Sequence, residues 1–326
     1  MRPLSLGPSF VVLTESTSLP RASRQASFML LVALWLSLGC VIGEQEKTPL
    51  IVAHRAAPAH WPENSRTAVM GSLERGYPGI EIDLLLTRDH VPVIAHDPWL
   101  DPKDCTYSDG EELEERVLIQ DVTLDDLEAN YVCGGNRDPA FPDAEVIADS
   151  LLTLDELIEL LRPHPETSIQ LDVKYEPGLT PDPEIFAEEI LSRFTGAGLD
   201  NPWYVSANLP ELLLAFRDWM AGDPIETVLI YPRFPPDSDS TSVGLRTELL
   251  STLGIRDALG AARRSNADGI AWPFELFDWH TATAARDAGL SVMVWTVNEE
   301  AHLERFCEWP LDAIITDFPE RAPCLP

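Results

Sequence analysis

Lysine is almost missing from this chain. Only Lys47, Lys103 and Lys174 occur in 326 residues, and 23 basic side chains face 54 acidic ones, a formal net charge of −31. A phosphate backbone is repelled by such a surface, so no nucleic-acid partner is expected, and the acidic excess reads as a solvated exterior that maintains solubility. No CxxC pair occurs and no nearby histidine completes a zinc site, which makes zinc a poor expectation. No glycine-rich phosphate fingerprint follows the first apolar run. Internal repeats and low-complexity tracts are also lacking. A hydrophobic content of 45% excludes a disordered chain, and the length allows one large domain or two small ones.

Residues 1–43 read as a leader and linker outside the fold. Arg21 and Arg24 precede an uncharged run from Phe28 to Leu38, too short for a membrane span but matching the core of a secretory signal. The ending Ser37-Leu38-Gly39-Cys40 is similar to a bacterial lipoprotein box, with Cys40 as the lipidated first residue, although Ser37 stands where Leu, Val or Ile is usual. Export is therefore expected, to the bacterial periplasm or as an outer-membrane lipoprotein attached through Cys40. A simply cleaved signal, an uncleaved anchor and a later start at Met29 are the other readings. Besides Cys40, the cysteines are Cys105, Cys133, Cys307 and Cys324. An even number in an exported chain permits two disulfides, and sequence order suggests Cys105–Cys133 and Cys307–Cys324. Inert buried thiols are the competing reading.

Short apolar runs then alternate with helical patterns. Strands are expected at Leu50–Ala53, Gly79–Leu86, Ser168–Val173, Trp203–Ser206, Glu226–Ile230, Gly269–Ala271, Ser291–Thr296 and Asp312–Thr316. Helices are expected at Ser65–Arg75, Thr153–Leu161, Pro183–Phe194, Pro210–Trp219, Asp278–Ala288 and Glu299–Glu308. This alternation predicts an α/β fold, a (β/α)8 TIM-type barrel, ahead of a doubly wound open sheet. Val91–Ala95 reads as an extra strand returning toward the site. Residues 98–149 break the pattern with four prolines, the helix-like Leu124–Ala129 and two cysteines, and read as a small insertion after the second strand.

The candidate chemistry is concentrated between Ile51 and Asp97. His54 and His96 each follow a short apolar run, where barrel active sites lie. Glu81 and Asp83 stand two apart in a strand, so they share a face. Parallel strands are covered on both sides, and paired buried carboxylates resist ionisation unless a cation compensates. A hard divalent metal with oxygen ligands is the natural compensation. Asp172 and Lys174 repeat the two-residue spacing on the next parallel strand. Arg55 offers a planar fork of donors to phosphate oxygens, with a salt bridge to Glu63 as a compatible role. Asn64 reads as the N-cap of the following helix, Asn298 and Asp317 as residues holding backbone turns, and Trp61, Trp272, Phe274 and Phe277 as an apolar rim.

Taken in order, His54-Arg55, Pro62-Glu63-Asn64, Ile80-Glu81-Ile82-Asp83, Thr87-Arg88-Asp89, His96-Asp97, Leu171-Asp172-Val173-Lys174, Trp295-Thr296-Val297-Asn298 and Thr316-Asp317-Phe318-Pro319 resemble the signature of glycerophosphodiester phosphodiesterases over roughly residues 48–322. The resemblance implies a TIM barrel and metal-dependent hydrolysis of glycerophosphodiesters to sn-glycerol 3-phosphate and an alcohol. It also implies an insertion above the barrel mouth, near residues 98–149. Glu81, Asp83 and Asp172 are implied as ligands of Ca²⁺ or Mg²⁺, with a lean to Ca²⁺. His54 and His96 would be the acid–base pair, Arg55 and Lys174 the phosphate ligands, Trp295 a wall beside the glycerol, and Glu63 a support. In the family the glycerol hydroxyl is thought to attack first, giving a cyclic phosphate that water opens. Two positions depart from the pattern: Ala56 stands where glycine is usual, and Asp172 where glutamate is usual. A lysophospholipase-D-like enzyme acting on lysophospholipids, and a non-catalytic lipid-anchored binding protein, are the competing functions. Oligomeric state is not encoded in any of these features.

Overall fold

The computed structural model describes residues 48–231 and 256–326; the leader and Cys40 lie outside them. Among the described residues thirteen strands occur, numbered in chain order. The barrel is built from β1 (Leu50–Ala53), β2 (Gly79–Leu86), β8 (Ser168–Val173), β9 (Trp203–Ala207), β10 (Thr227–Ile230), β11 (Gly269–Pro273), β12 (Ser291–Trp295) and β13 (Ala313–Thr316). All eight pair in parallel with their neighbours, and β1 bonds to both β2 and β13, so the sheet closes on itself. The expected (β/α)8 barrel is therefore the fold, and the open-sheet reading falls. Closure leaves no exposed edge among these strands.

The helical connections follow from local chemistry. Ser65 caps the helix Arg66–Glu74 and Thr153 caps Leu154–Leu161, the latter with a reciprocal capping box through Glu156. Proline opens Pro183–Gly196 and Pro210–Met220, where its missing N–H costs nothing. One connection is unexpected from sequence: residues 256–264 are helical. Its inward side is carried by Ala258 and Ala262, both fully buried, and alanine gives too little contrast to register as an amphipathic stripe.

Strand alternation divides the interior. Ile80, Ile82, Leu84, Ile169 and Leu171 point outward into the helix layer. Val52, Val228, Ala271, Met293, Ala313 and Ile315 fill part of the barrel's inside. Glu81, Asp83, Gln170 and Asp172 occupy the alternate positions of β2 and β8, so one side of the interior is polar.

The antiparallel β3 (Pro92–Ile94) returns along β2 after a tight turn held by Thr87, whose Oγ1 accepts from the Val91 N–H at 2.9 Å. That return places His96 at the barrel mouth. The following segment contains β4 (Trp99–Leu100), β5 (Cys105–Tyr107), β6 (Val117–Leu118) and β7 (Tyr131–Cys133), paired as β4 with β6 and β5 with β7. It closes over a small apolar core of its own, in which Leu100, Leu113, Ile119 and Leu127 meet Leu85 and Val93 from the barrel. The disulfide Cys105–Cys133 ties β5 to β7, and Cys307–Cys324 ties the last helix to the C-terminal tail. The sequence-order pairing is the one observed, and the buried-thiol reading falls.

The anticipated aromatic rim is not formed. Trp272 is 2% exposed and packs outside the sheet against Tyr231, while Phe277 meets Phe306 and Trp309. Trp61 lies over Gly71 so closely that no side chain fits there, with Arg75 on its face. Phe274 packs against His302. Trp272 and Phe277 thus stabilise the helix layer by burial, the commoner fate of large aromatics, while Trp61 lines a cavity beneath the 98–149 segment.

Candidate active site

Glu81, Asp83 and Asp172 converge. Register sets Asp83 directly beside Asp172 on neighbouring strands, with Glu81 two residues earlier on the same face. One carboxylate oxygen from each lies within 4.8 Å of the others, and the three residues are only 2%, 0% and 6% exposed. Burial, then the nearby charges of Asp83 and Asp172, push the Glu81 carboxyl well above its usual range. Burial acts the same way on Asp83, but Lys174 and Arg55 overcome it and hold that carboxyl below its usual range. The cluster is thus short of positive charge, and Glu81 bears the shortage. All-oxygen, buried and partly uncompensated donors fit a hard divalent cation and suit zinc poorly.

Two fixed cations flank the acids. Lys174 Nζ lies 2.8 Å from Asp83 Oδ1 and also bonds Asp172 Oδ2. Burial alone would discharge this ammonium; Asp172 and Asp83 instead hold its pKa above the usual value. Arg55 is gripped on three sides: its backbone N–H donates to Glu81 Oε2 at 2.7 Å, its Nη1 donates to both Glu63 oxygens at 3.0 and 2.8 Å, and its Nε lies 3.5 Å from Asp83 Oδ2. Glu63 therefore orients Arg55 and is not one of the three converging acids. Arg55, Ala56 and Ala57 all adopt left-handed backbone (φ 46°, 61° and 69°). That conformation explains why glycine would suit position 56: the requirement is on φ as well as on space.

Asn64 does not cap the helix; Ser65 does. Asn64 is itself left-handed at φ 58°, and its side chain clasps Asp83. Its Nδ2 donates to Asp83 Oδ2 at 2.7 Å and its Oδ1 accepts the Asp83 backbone N–H at 3.1 Å. Sequence order could not reveal a contact between residues on separate elements.

Both histidines line one cavity of about 310 Å³, together with Glu81, Asp172, Lys174, Arg55 and Trp295. Each is backed by an aspartate on Nδ1. His54 meets Asp317 Oδ1 at 2.6 Å, and His96 meets Asp97 Oδ1 at 2.7 Å. Asp317 is held in turn by Asn298, whose Nδ2 donates to its Oδ2 at 2.6 Å and whose Oδ1 accepts its backbone N–H at 3.0 Å. Hydrogen bonding from His54 and Asn298 outweighs burial and keeps Asp317 below the ordinary carboxylate range. Asp317 is thus more than a turn residue. The readable signal was its place directly after the strand that pairs with β1, where Thr316 faces Ala53. Trp295 reaches the cavity wall with its indole N–H directed to the Ala271 carbonyl at 3.3 Å. A second cavity of about 400 Å³ lies beneath the 98–149 segment and shares Arg55, His96, Asp97 and Trp99 with the first.

The chain matches the model of the glycerophosphoryl diester phosphodiesterase family over residues 54–213 and 256–321. A Mycobacterium tuberculosis protein named "Probable glycerophosphodiester phosphodiesterase 1" is 37% identical over 114 residues, 35% of this chain and only 38% of that protein's length. A glycerophosphodiester phosphodiesterase from Caldanaerobacter subterraneus subsp. tengcongensis is 23% identical over 83% of this chain and 95% of its own. Among solved structures, an Oleispira antarctica phosphodiesterase in complex with the product sn-glycerol-3-phosphate superposes with a TM-score of 0.63 at 21% identity, covering 84% of this chain and 95% of that one. The family match spans well over half of the chain and includes the three acids, the two cations and both histidine–aspartate pairs. This chain therefore belongs to the glycerophosphoryl diester phosphodiesterase family, a family of phosphodiester-hydrolysing enzymes.

Proposed function

We propose that this protein hydrolyses glycerophosphodiesters to sn-glycerol 3-phosphate and an alcohol. The observation that carries this reading is the shared cavity lined by two aspartate-backed histidines, by Glu81 and Asp172 of the three-acid cluster, and by Arg55 and Lys174. The product bound to the Oleispira antarctica protein supports the choice of substrate class.

The charges account for the substrate. Glu81, Asp83, Asp172 and the Arg55 partner Glu63 contribute four negative charges, and Arg55 and Lys174 contribute two positive ones. A divalent cation held by the three acids would balance that excess and open the site to a phosphodiester monoanion. When bound, such a cation would supply Lewis-acid polarisation of the phosphate. Arg55 and Lys174 stabilise charge developing on the nonbridging oxygens. One histidine takes the proton from the glycerol hydroxyl as that oxygen attacks phosphorus, and the other gives a proton to the departing alcohol. Water then opens the cyclic phosphate with the two roles exchanged. Trp295 walls the glycerol side.

Calcium is the favoured metal in this reading over magnesium, because the short Asp172 leaves room and an exported protein meets abundant calcium. Export, with lipid attached at Cys40, is supported by the leader's charge and apolar pattern and by two disulfides, which persist in oxidising compartments. Of the rings on which the lysophospholipid alternative leaned, Trp272 and Phe277 are buried in the helix layer, whereas Trp61 lines the cavity beneath the 98–149 segment. The test is turnover of a panel of glycerophosphodiesters and lysophosphatidylcholine by chelator-treated enzyme, before and after adding Ca²⁺ or Mg²⁺. Metal-restored turnover of glycerophosphodiesters is expected. Turnover indifferent to chelator, or confined to the lysolipid, would overturn this assignment.

A further inference from the structure

Behind the acid cluster, the polar side of the barrel interior holds a line of hydrogen bonds that none of the chemistry above uses. Tyr204 OH donates to Gln170 Oε1 at 2.9 Å, Gln170 Nε2 donates to Ser206 Oγ at 3.0 Å, and Ser206 Oγ donates to Asp172 Oδ1 at 2.7 Å. Register explains the line: on β8 and β9, Asp172 faces Ser206 and Gln170 faces Tyr204. Exposure along it is 6% at Tyr204, 2% at Gln170 and 0% at Ser206, so no bulk water substitutes for any member.

The line has one direction. A carboxylate only accepts, so the Ser206 hydroxyl must give its proton to Asp172. Its oxygen is then free to accept from the Gln170 amide, which turns the Gln170 oxygen toward the Tyr204 phenol. Reversing any link would leave a buried group unpaired, at a cost well above a single ordinary hydrogen bond.

Asp172 is where this matters. Its Oδ1 is engaged by Ser206 and its Oδ2 faces Lys174, two residues along the same strand. A short carboxylate held at Oδ2 alone could still turn about its Cα–Cβ and Cβ–Cγ bonds. Anchored at Oδ1, it presents Oδ2 at a fixed place beside Asp83.

We propose that Ser206 is a positioning residue for the metal-binding acids: it fixes Asp172 so that only Oδ2 is offered to the cation, and Gln170 and Tyr204 lock the Ser206 hydroxyl in its donating orientation. The proposal rests on reading Glu81, Asp83 and Asp172 as the cation's ligands. Hydrogen-bonding partners of metal ligands typically change affinity about 10–100-fold when removed, and that range sets the expectation.

The experiment is calorimetric titration of Ca²⁺ and of Mg²⁺ into chelator-treated protein, with the cation-induced rise in Tm as a second readout. Ser206→Ala should weaken binding at least about tenfold. Ser206→Thr, which keeps the hydroxyl, should stay within about threefold of wild type, a rescue that loss of packing alone would not give. In the Asp172→Glu background, whose longer side chain reaches the cluster without this anchor, Ser206→Ala should cost under about threefold. Should Ser206→Ala not fold, Ser206→Cys preserves the volume with a weak donor, and several-fold weaker binding is expected. Wild-type protein that binds neither cation overturns the metal-site reading and this role with it. Wild type that binds, with Ser206→Ala (or Ser206→Cys in its place) binding within twofold, overturns the Ser206 role alone.

Discussion

Replacing Asp317 by asparagine separates the functions of a charge and of a shape. Asn298 is fixed first: its Oδ1 accepts the Asp317 backbone N–H at 3.0 Å, so its NH₂ must point at Asp317 Oδ2, 2.6 Å away. An amide at position 317 would have to place its oxygen there. Its NH₂ would then face His54 Nδ1, now 2.6 Å from the carboxylate. A donor opposite Nδ1 forces the imidazole to carry its proton on Nε2. A histidine acting as base needs Nε2 bare with Nδ1 protonated, and one acting as acid needs both protonated; the asparagine opposes both. The same tautomer inversion in an aspartate–histidine–serine triad costs about 10⁴ in kcat, equivalent to roughly 5 kcal/mol at the transition state. Asp317→Asn should therefore lower kcat by about 10³–10⁴-fold and leave KM and metal-dependent Tm nearly unchanged. Steady-state kinetics on the best substrate of the panel measures this. A kcat within tenfold of wild type would refute the argument that His54 works through Nε2 with Asp317 behind it.

Other outcomes follow from the same geometry. His54→Ala and His96→Ala should each abolish turnover without lowering Tm appreciably; near-normal kcat in either variant removes it from the acid–base pair. Ala56→Gly should shift Tm by no more than a few degrees, since relief of left-handed strain, roughly 1 kcal/mol, offsets a buried methyl of roughly 0.8 kcal/mol. Ala56→Val, β-branched at φ 61°, should instead destabilise clearly in thermal denaturation. Partial burial and then Glu63 push the Asp104 carboxyl up to about 6. A carboxyl raised on folding favours the native state at pH below its unfolded value and loses that contribution as pH rises through about 6. Asp104→Asn should accordingly raise Tm at pH 7 and leave it unchanged near pH 4; the residue's outer edge is solvated, so the gain stays under about 1 kcal/mol. An equal change at both pH values would refute that sign. Mass spectrometry of the mature N-terminus should find a lipid-modified Cys40; an intact Met1 terminus in a soluble cytoplasmic fraction would refute export.

The barrel was legible because its strands are bounded by chemistry visible in one dimension. Gly79–Leu86 and Ser168–Val173 are uninterrupted buried runs, and their acids stand at the alternate positions that a strand must turn inward. The convergence of Glu81, Asp83 and Asp172 follows from that alternation once the two strands are neighbours. What stayed hidden were partnerships across elements. Asn64 looks like a cap because asparagine before a helix usually is one, yet its left-handed backbone turns the side chain onto Asp83. Asp317 lies 263 residues from His54, and only closure of the barrel makes them neighbours. The aromatic rings misled because composition tells nothing of which side of a strand faces the helices: Trp272 alternates with the inward Ala271 and is therefore directed away from the mouth.

The pairing of His54 with Asp317 sits at the seam where the first and last strands join. A barrel left open between β1 and β13 could hold every acid of the cluster, since β2 and β8 form their own ladder. It would nonetheless lack the support for one histidine. Competence for the reaction thus depends on the ring being closed at this seam, so a substitution that loosens β1 from β13 should cost turnover while sparing cation binding.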